Sequence, residues 1–321
     1  MRKSTKVWML AAASLIIIGC LILGSVLAML DWDFSKLSTV QFENNTYKLE
    51  ERISDIEIVT DTANIVFVPT NEPGVTVTCH EEMRAKHQVS VNNGLLSIQL
   101  VNTRKWYEYI GIHFESPQIT VQLPQGEWGC LLIRSSTGSI DIPNQFAFEE
   151  MDISLTTGHV KNHASVANML RIKASTGSII MEQLHAGAAE LSATTGKIEI
   201  TDIQCDGVLA VDVSTGKALL KKVVCGVLTS TGSTGDIRLD KVLSGTGMHI
   251  VRTTGDICFD QCDAADLRIK TDTGNVTGTL LSEKVFLVET DTGRINVPRT
   301  TAGGVCEITT DTGDVLLSYS N

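Results

Sequence analysis

From Leu131 to the end of the chain, apolar and polar residues alternate in short runs that break at a recurring Thr-Gly pair. The pair's glycines are Gly138, Gly158, Gly177, Gly196, Gly216, Gly235, Gly255, Gly274, Gly293 and Gly313, spaced by 19 or 20 residues. A period this strict over ten copies is the signature of a solenoid or array. Seven residues before each glycine stands an apolar residue, such as Leu131, Met151, Leu170 or Phe286, and five before it another in nine of ten copies. Two residues after it the alternation resumes, with Ile140, Val160, Ile179, Ile198 and their equivalents through Val315. Period-two alternation on both sides predicts two short strands flanking each turn, each with one face inward.

The glycine is needed where the chain turns a corner, because it tolerates positive φ and brings no Cβ against the next coil. A looser set, Gly187, Gly207, Gly226, Gly245 and Gly303, marks the opposite corner. Coils stacked at about 4.8 Å give an all-β fold, a parallel β-solenoid of about 19–20-residue Thr-Gly coils whose ten regular turns run about 48 Å. An antiparallel meander of Thr-Gly hairpins competes, but two-residue hairpins prefer Asn-Gly or Asp-Gly. Stacking also places the ten threonines in one ladder, where their hydroxyls would satisfy corner backbone groups.

The start of the chain follows a different pattern. Residues 1–6 carry Arg2, Lys3 and Lys6, and residues 7–30 then run uncharged for about 36 Å of helix, enough for a hydrocarbon core of about 30 Å. This reads as one transmembrane helix with the N-terminus cytoplasmic and the C-terminal domain extracytoplasmic. Two alternatives are a cleaved signal peptide, for which Ser25 to Ala28 gives a weak cleavage site, and a lipoprotein signal at Ile17-Ile18-Gly19-Cys20. Residues 31–45 are polar and read as a tether. Residues 46–130 carry strands at irregular intervals, including a degenerate coil from Ile56 to Phe67 with Ala63 in the glycine's place, and read as an N-terminal β cap. Residues 131–321 form the regular solenoid.

Composition narrows the partners. A formal net charge of −11 argues against nucleic acid, whose phosphates call for basic patches, and an aromatic content of 5% suits narrow coils. The eight cysteines include no pair of CxxC motifs, and Cys258 and Cys262 have no histidine cluster beside them, so buried small hydrophobes are the expectation. Cys205 and Cys225 occupy equivalent positions in adjacent coils, where a disulfide is conceivable outside the cytoplasm.

Candidate chemistry is sparse. Asp272-Thr273-Gly274, Asp291-Thr292-Gly293 and Asp311-Thr312-Gly313 match the Asp-Thr-Gly signature of aspartic proteases, whose carboxylates face each other across a cleft. Here the three are repeat positions that point outward and stack along one side, so no catalytic residue is assigned. Asp272, Asp291, Asp311 and Asp314 are instead candidates for calcium, which favours oxygen ligands, against a bland reading as solvated surface carboxylates. The histidines His80, His87, His113, His159, His163, His185 and His249 show no ligand spacing, though His159 and His163 bracket a turn. No cofactor-binding motif is present. The loop from Arg104 to Tyr109, with Trp106 and Tyr107, would either hold a sugar or a peptide or cover the open end of the core.

The N-terminal span, the strand pair from Ile56 to Val68, the segment Ile119 to Pro124 leading into Leu132-Ile133, and the run of Ser/Thr/Asp-Thr-Gly-x-Ile/Val coils together resemble a family of bacterial envelope proteins built of β-strand repeats and classed as candidate adhesins, a domain of unknown function. The resemblance covers residues 46 to 321 and transfers no site. It implies an adhesin-like solenoid outside the membrane; with the absence of catalytic motifs from the sequence, the chain reads as a non-catalytic, membrane-anchored cell-envelope protein displaying its solenoid for binding or scaffolding, with cell-wall polymer or an envelope protein as partner. Two other readings are an envelope-stress or signalling regulator working through a membrane protein, and a polysaccharide-active enzyme, which would need charged groups converging in a groove.

Overall fold

The computed structural model describes residues 3–29, 31–32, 40–106 and 115–320, the side chains of 3–7 apart. Helix α1 (Lys3–Met29) has a mean hydropathy of 2.6 over Trp8–Met29, with 6% of its most apolar window buried. Leu15, Ile16 and Leu21 are each more than 60% exposed. A core helix hides one stripe, whereas this one shows apolar side chains to its surroundings along its length, as a membrane span or a signal sequence does.

Strands make up 74% of the described residues. The regular part comprises β8 (Gly126–Ile142), β9 (Phe146–Asn162), the continuous ribbon β10 (Ser165–Thr234), β11 (Ile237–Thr254), β12 (Ile257–Thr273), β13 (Val276–Leu280), β14 (Lys284–Thr292), β15 (Ile295–Asn296), β16 (Gly304–Thr312) and β17 (Val315–Tyr319). Every pairing among them is parallel, glycine on glycine: Gly138 pairs with Gly158 and Gly158 with Gly177. The fold is therefore a β-solenoid, not a meander.

One coil shows how sequence sets the cross-section. Around Gly177 the buried residues are Leu170, Ile172 and Ala174 before the corner, Ile179 and Met181 after it, and Leu184 and Ala186 beyond a second bend. That second bend falls at Gln183, whose φ is 54°, and its equivalents Asp202, Lys222, Lys241 and Gln261 have φ of 58°, 52°, 55° and 52°. Each such coil thus has three sides, and polar residues in the left-handed region make a corner that glycine spacing does not reveal. The looser glycine set makes the third corner mostly without positive φ. A Cβ at Gly187 would come within 2.3 Å of the Ala167 carbonyl oxygen, so close approach of the coils selects glycine there, while Gly303 does have a φ of +98°.

The N-terminal cap is built from β1 (Phe42–Leu49), β2 (Asp55–Thr60), β3 (Asn64–Thr70), β4 (Val75–Glu82), β5 (Ala85–Asn92), β6 (Leu95–Asn102) and β7 (Gln118–Pro124). β2 and β3 form a coil with Ala63 at its corner, stacked on β8 through Ile56–Leu131 and Ile65–Ile140. On its other side β6 lies parallel to β2 and β7 parallel to β3. The pattern then turns antiparallel: β4 pairs with β7 and with β1, and β5 with β6. β1 begins at Phe42, inside the stretch read as a tether, because the Phe42 ring stacks on His80 with centroids 5.0 Å apart and gives this polar edge strand an anchor.

The C-terminal end departs from sequence order. β16 pairs with both β12 and β14, and β17 with both β13 and β15. The coil of Gly313 is therefore inserted between those of Gly274 and Gly293, and β14–β15 rather than the last residues form the outer coil.

Candidate functional site

The Thr-Gly corner is the repeated feature from which a surface is built. Gly138, Gly158 and Gly177 each have a φ of +139°, and a Cβ at Gly177 would lie 1.7 Å from the Gly158 carbonyl oxygen. Gly196, Gly216, Gly235, Gly255 and Gly274 share the positive φ, whereas Gly293 and Gly313 do not; there a Cβ would still meet a neighbouring glycine's oxygen at 2.0 Å. Close stacking, more than φ, makes glycine obligatory along this edge.

This packing turns the ten preceding threonines outward, from Thr137 to Thr312, as one exposed column. Beside it Ser136, Thr156, Ser175 and Thr194 form a second exposed rank. Between that rank and the coils' outward side runs an open groove of about 560 Å³, lined further by Ser154, Ser192, Arg134 and Lys173 and ending on Thr60 of the cap. Its two cations are partnered at the wall: Arg134 Nη1 lies 2.9 Å from Asp152 Oδ1 and Lys173 Nζ 3.4 Å from Glu190 Oε1. The Arg171 guanidinium, hydrogen-bonded to Glu190, holds that carboxyl below the usual range. The groove is thus a hydroxyl-rich, nearly neutral trough running over four successive coils, a surface able to offer similar hydrogen bonds at regular intervals.

The aspartates do not form a cleft. Pairing of Thr271 with Thr310 and of Thr290 with Thr310 puts Asp272 beside Asp311 and Asp311 beside Asp291, so the column runs 272, 311, 291. Asp314 is engaged elsewhere: Arg294 reaches its Oδ2 with Nη2 at 2.5 Å and Nε at 3.0 Å, and the Arg294 amide donates to Oδ1 at 2.9 Å. Those contacts hold the Asp314 carboxyl below its ordinary value. Among the described residues, the set of three ligand-type side chains that comes together is a different one, Cys79, Glu81 and His87, with ligand atoms all within 4.8 Å of one another.

Other candidates disperse. His159 is exposed, while His163 lies 3.2 Å from the Glu182 carbonyl oxygen. Cys205 and Cys225 are both buried, their thiols pushed up by burial and unbonded to each other. Cys258 is partly exposed, and the Cys262 thiol points to the carbonyls of Leu239 and Asp260. Trp106 is 78% exposed, and Tyr107 to Tyr109 lie outside the described residues.

Two buried polar units escape a reading of the sequence. The Arg252 side chain, 1% exposed, lies in space left by Gly232, where a Cβ would meet its Nη1 at 1.6 Å. Nη2 donates to Ser230 Oγ at 2.9 Å and Nη1 to the Thr231 carbonyl at 2.8 Å, while Nε has no partner. The only signal was a break in the apolar columns at Ser230, Gly232 and Arg252, split between adjacent coils. The other unit is in the cap, where Glu81 Oε2 lies 2.7 Å from His87 Nδ1 and accepts the His87 amide at 2.6 Å. Asn45 Nδ2 donates to Oε1 at 2.8 Å, and His87 Nε2 lies 2.8 Å from Thr60 Oγ1. Close by, Arg104 Nη1 pairs with Glu82 Oε2 at 2.9 Å.

A parallel solenoid carrying a repeated hydroxyl surface places the chain in the class of β-solenoid repeat proteins. The family model Toastrack DUF4097 matches residues 53–217 and 207–321, so the chain belongs to that family. Similar solved structures include a candidate adhesin from Bacteroides fragilis, at 10% identity over 87% of this chain and 97% of that one, with a TM-score of 0.44. A candidate adhesin from Parabacteroides distasonis aligns at 11% identity over 87% and 98%, TM-score 0.47. A protein from the same organism, described as a candidate lipid-binding protein, aligns at 15% identity over 76% and 97%, TM-score 0.48. No curated protein matches the chain.

Proposed function

We propose that this is a non-catalytic envelope protein, held in the membrane by α1 with residues 1–6 cytoplasmic, which displays its solenoid outside the membrane to bind a repetitive polymer. The observation that carries the reading is the groove: coils of identical register place Ser136, Thr156, Ser175 and Thr194 at one position in four successive turns. Equal hydroxyl spacing of about 4.8 Å suits a ligand that is itself a repeat, such as a wall glycan, better than a compact small molecule. The shape of the trough and its partnered cations favour a neutral or weakly anionic chain. In this reading the cap, residues 46–130, closes the membrane-proximal end and residues 131–321 are the binding body.

The test is co-sedimentation of the detergent-solubilised protein with insoluble cell-wall polymer, comparing wild type with the Ser175→Tyr/Thr194→Tyr double variant, which fills the groove. Retention by wild type and release by the double variant, with circular dichroism unchanged, is the expected result. Equal retention of both, or none by either, would remove the groove from the account.

A further inference from the structure

We infer that Cys79, Glu81 and His87 form a structural zinc site inside the N-terminal cap, its three ligands lying outside the groove and meeting it only through Thr60, which holds His87.

The backbone explains why these three residues meet. Cys79 and Glu81 are two apart on β4 and so share a face, the inward one. β4 and β5 begin as a hairpin, Glu82 opposite Ala85, but then part: β4 continues beside β7 and β5 beside β6. The hairpin therefore folds from one side of the cap to the other, and His87 on β5 comes to face Glu81 across the interior. Glu81 and Cys79 are 0% exposed and His87 is 3% exposed.

A carboxylate, an imidazole and a thiol at one buried point is a costly arrangement without an ion. Cys79 Sγ is wholly enclosed, with the Glu81 carboxylate and the His87 ring within 4.8 Å of it. A divalent cation offsets that cost: it takes the proton's place on sulfur and neutralises the carboxylate. Sulfur, nitrogen and oxygen donors together suit zinc, a borderline-soft ion that accepts all three in a tetrahedron and takes water as a fourth ligand.

The outer contacts select the correct atoms. A ligating histidine normally donates its other ring N–H to a neighbour, which fixes tautomer and ring orientation. Thr60 Oγ1 stands at 2.8 Å from His87 Nε2, which leaves Nδ1 facing inward. Asn45 Nδ2 holds Glu81 Oε1, which leaves Oε2 facing inward. Tetrahedral zinc needs its ligand atoms roughly 3.3–3.7 Å apart. Nδ1 and Oε2, now 2.7 Å apart in a hydrogen bond, would open by roughly 0.6 Å as the shared proton leaves, and Cys79 Sγ, within 4.8 Å, would close on them.

The experiment uses the full chain in detergent, stripped with chelator and dialysed against zinc, with cobalt as the spectroscopic probe. Expected are one zinc per chain by elemental analysis, a thiolate-to-cobalt charge-transfer band in the cobalt form, and a Tm that rises with zinc. Cys79→Ser should abolish the charge-transfer band, His87→Gln should lose the bound equivalent, and Cys262→Ser, another buried cysteine, should change neither. Thr60→Val removes only the hydroxyl on Nε2 and should weaken zinc by about 10- to 100-fold without unfolding the cap. If stripped wild type takes up no stoichiometric zinc at pH 8 and its Tm ignores zinc, the site does not exist, whatever the variants do. Zinc retained by both Cys79→Ser and His87→Gln would place it elsewhere and overturn the inference equally.

Discussion

Replacing Gly196 by alanine separates the two reasons for glycine at the Thr-Gly corner. Its φ is +149°, a region open almost only to glycine, and a Cβ would stand 1.7 Å from the Gly177 carbonyl oxygen. Backbone strain there costs about 1–3 kcal/mol. Forcing the coils apart to admit a methyl adds the cost of overpacking, about 1–3 kcal/mol. Gly196→Ala should therefore lose about 2–6 kcal/mol, a large part of the 5–15 kcal/mol typical of a folded domain. Two control glycines divide the sum. Gly126 has a φ of +146° with nothing within 4 Å of its Cβ position, so Gly126→Ala reports strain alone. At Gly245 the nearest atom is 3.9 Å away and φ is outside the positive region, so Gly245→Ala should change stability little. Urea unfolding followed by far-ultraviolet circular dichroism, with m-values compared to verify that each transition is alike, gives the three differences. Should Gly196→Ala cost no more than Gly126→Ala, the stacked carbonyl imposes nothing and the corner needs glycine for its dihedral angle only.

The buried Arg252 gives a double-mutant test. Gly232→Ala should destabilise wild type by at least about 1–3 kcal/mol, because its methyl competes with Nη1, and should cost far less in an Arg252→Ala background. Equal costs in both backgrounds would show that the guanidinium does not fill that space. Arg252→Met, which removes a buried charge whose Nε has no partner, should be neutral or mildly stabilising by thermal denaturation. The Asp314 carboxyl, depressed by Arg294, contributes stability that is present at neutral pH and lost as pH falls through its lowered folded value. Arg294→Ala should accordingly flatten the acid limb of the stability profile slightly, an effect that added salt suppresses. Calcium should leave Tm unchanged, since Asp314 is held by Arg294 and no three of the C-terminal aspartates converge; a calcium-dependent rise abolished by Asp311→Asn would refute that.

The coil was legible in the sequence because each inward position repeats: the column containing Ile133, Ile153 and Ile172 is written at the repeat spacing, and the glycines mark the corner where coils touch. What stayed hidden has a common cause. The Gly274, Gly293 and Gly313 coils carry equivalent Asp-Thr-Gly corners and apolar columns, so either neighbour satisfies the same register, and the local pattern cannot specify which coil stacks on which. The second corner uses Gln183, Asp202, Lys222, Lys241 and Gln261, ordinary surface residue types whose positive φ leaves no mark in the composition. Arg252 looks like an error in an apolar column until Gly232 and Ser230, one coil away, are placed against it. The cap cluster lacked any ligand spacing because His87 reaches Glu81 only when the β4–β5 hairpin divides between two sides of the cap. The hydroxyl rank, by contrast, was written in the Ser or Thr that precedes seven of the ten Thr-Gly pairs at a position that alternation points outward, while the groove beside it shows only in the structure.

In-cell photocrosslinking tests the central claim most directly, with the photoreactive residue placed in turn at Ser175 in the groove and at Lys222 on the second corner. Wall polymer captured from Ser175 and not from Lys222 is the outcome expected of an extracytoplasmic, groove-binding solenoid. Capture of cytoplasmic proteins from either position, or equal capture from both, would contradict it.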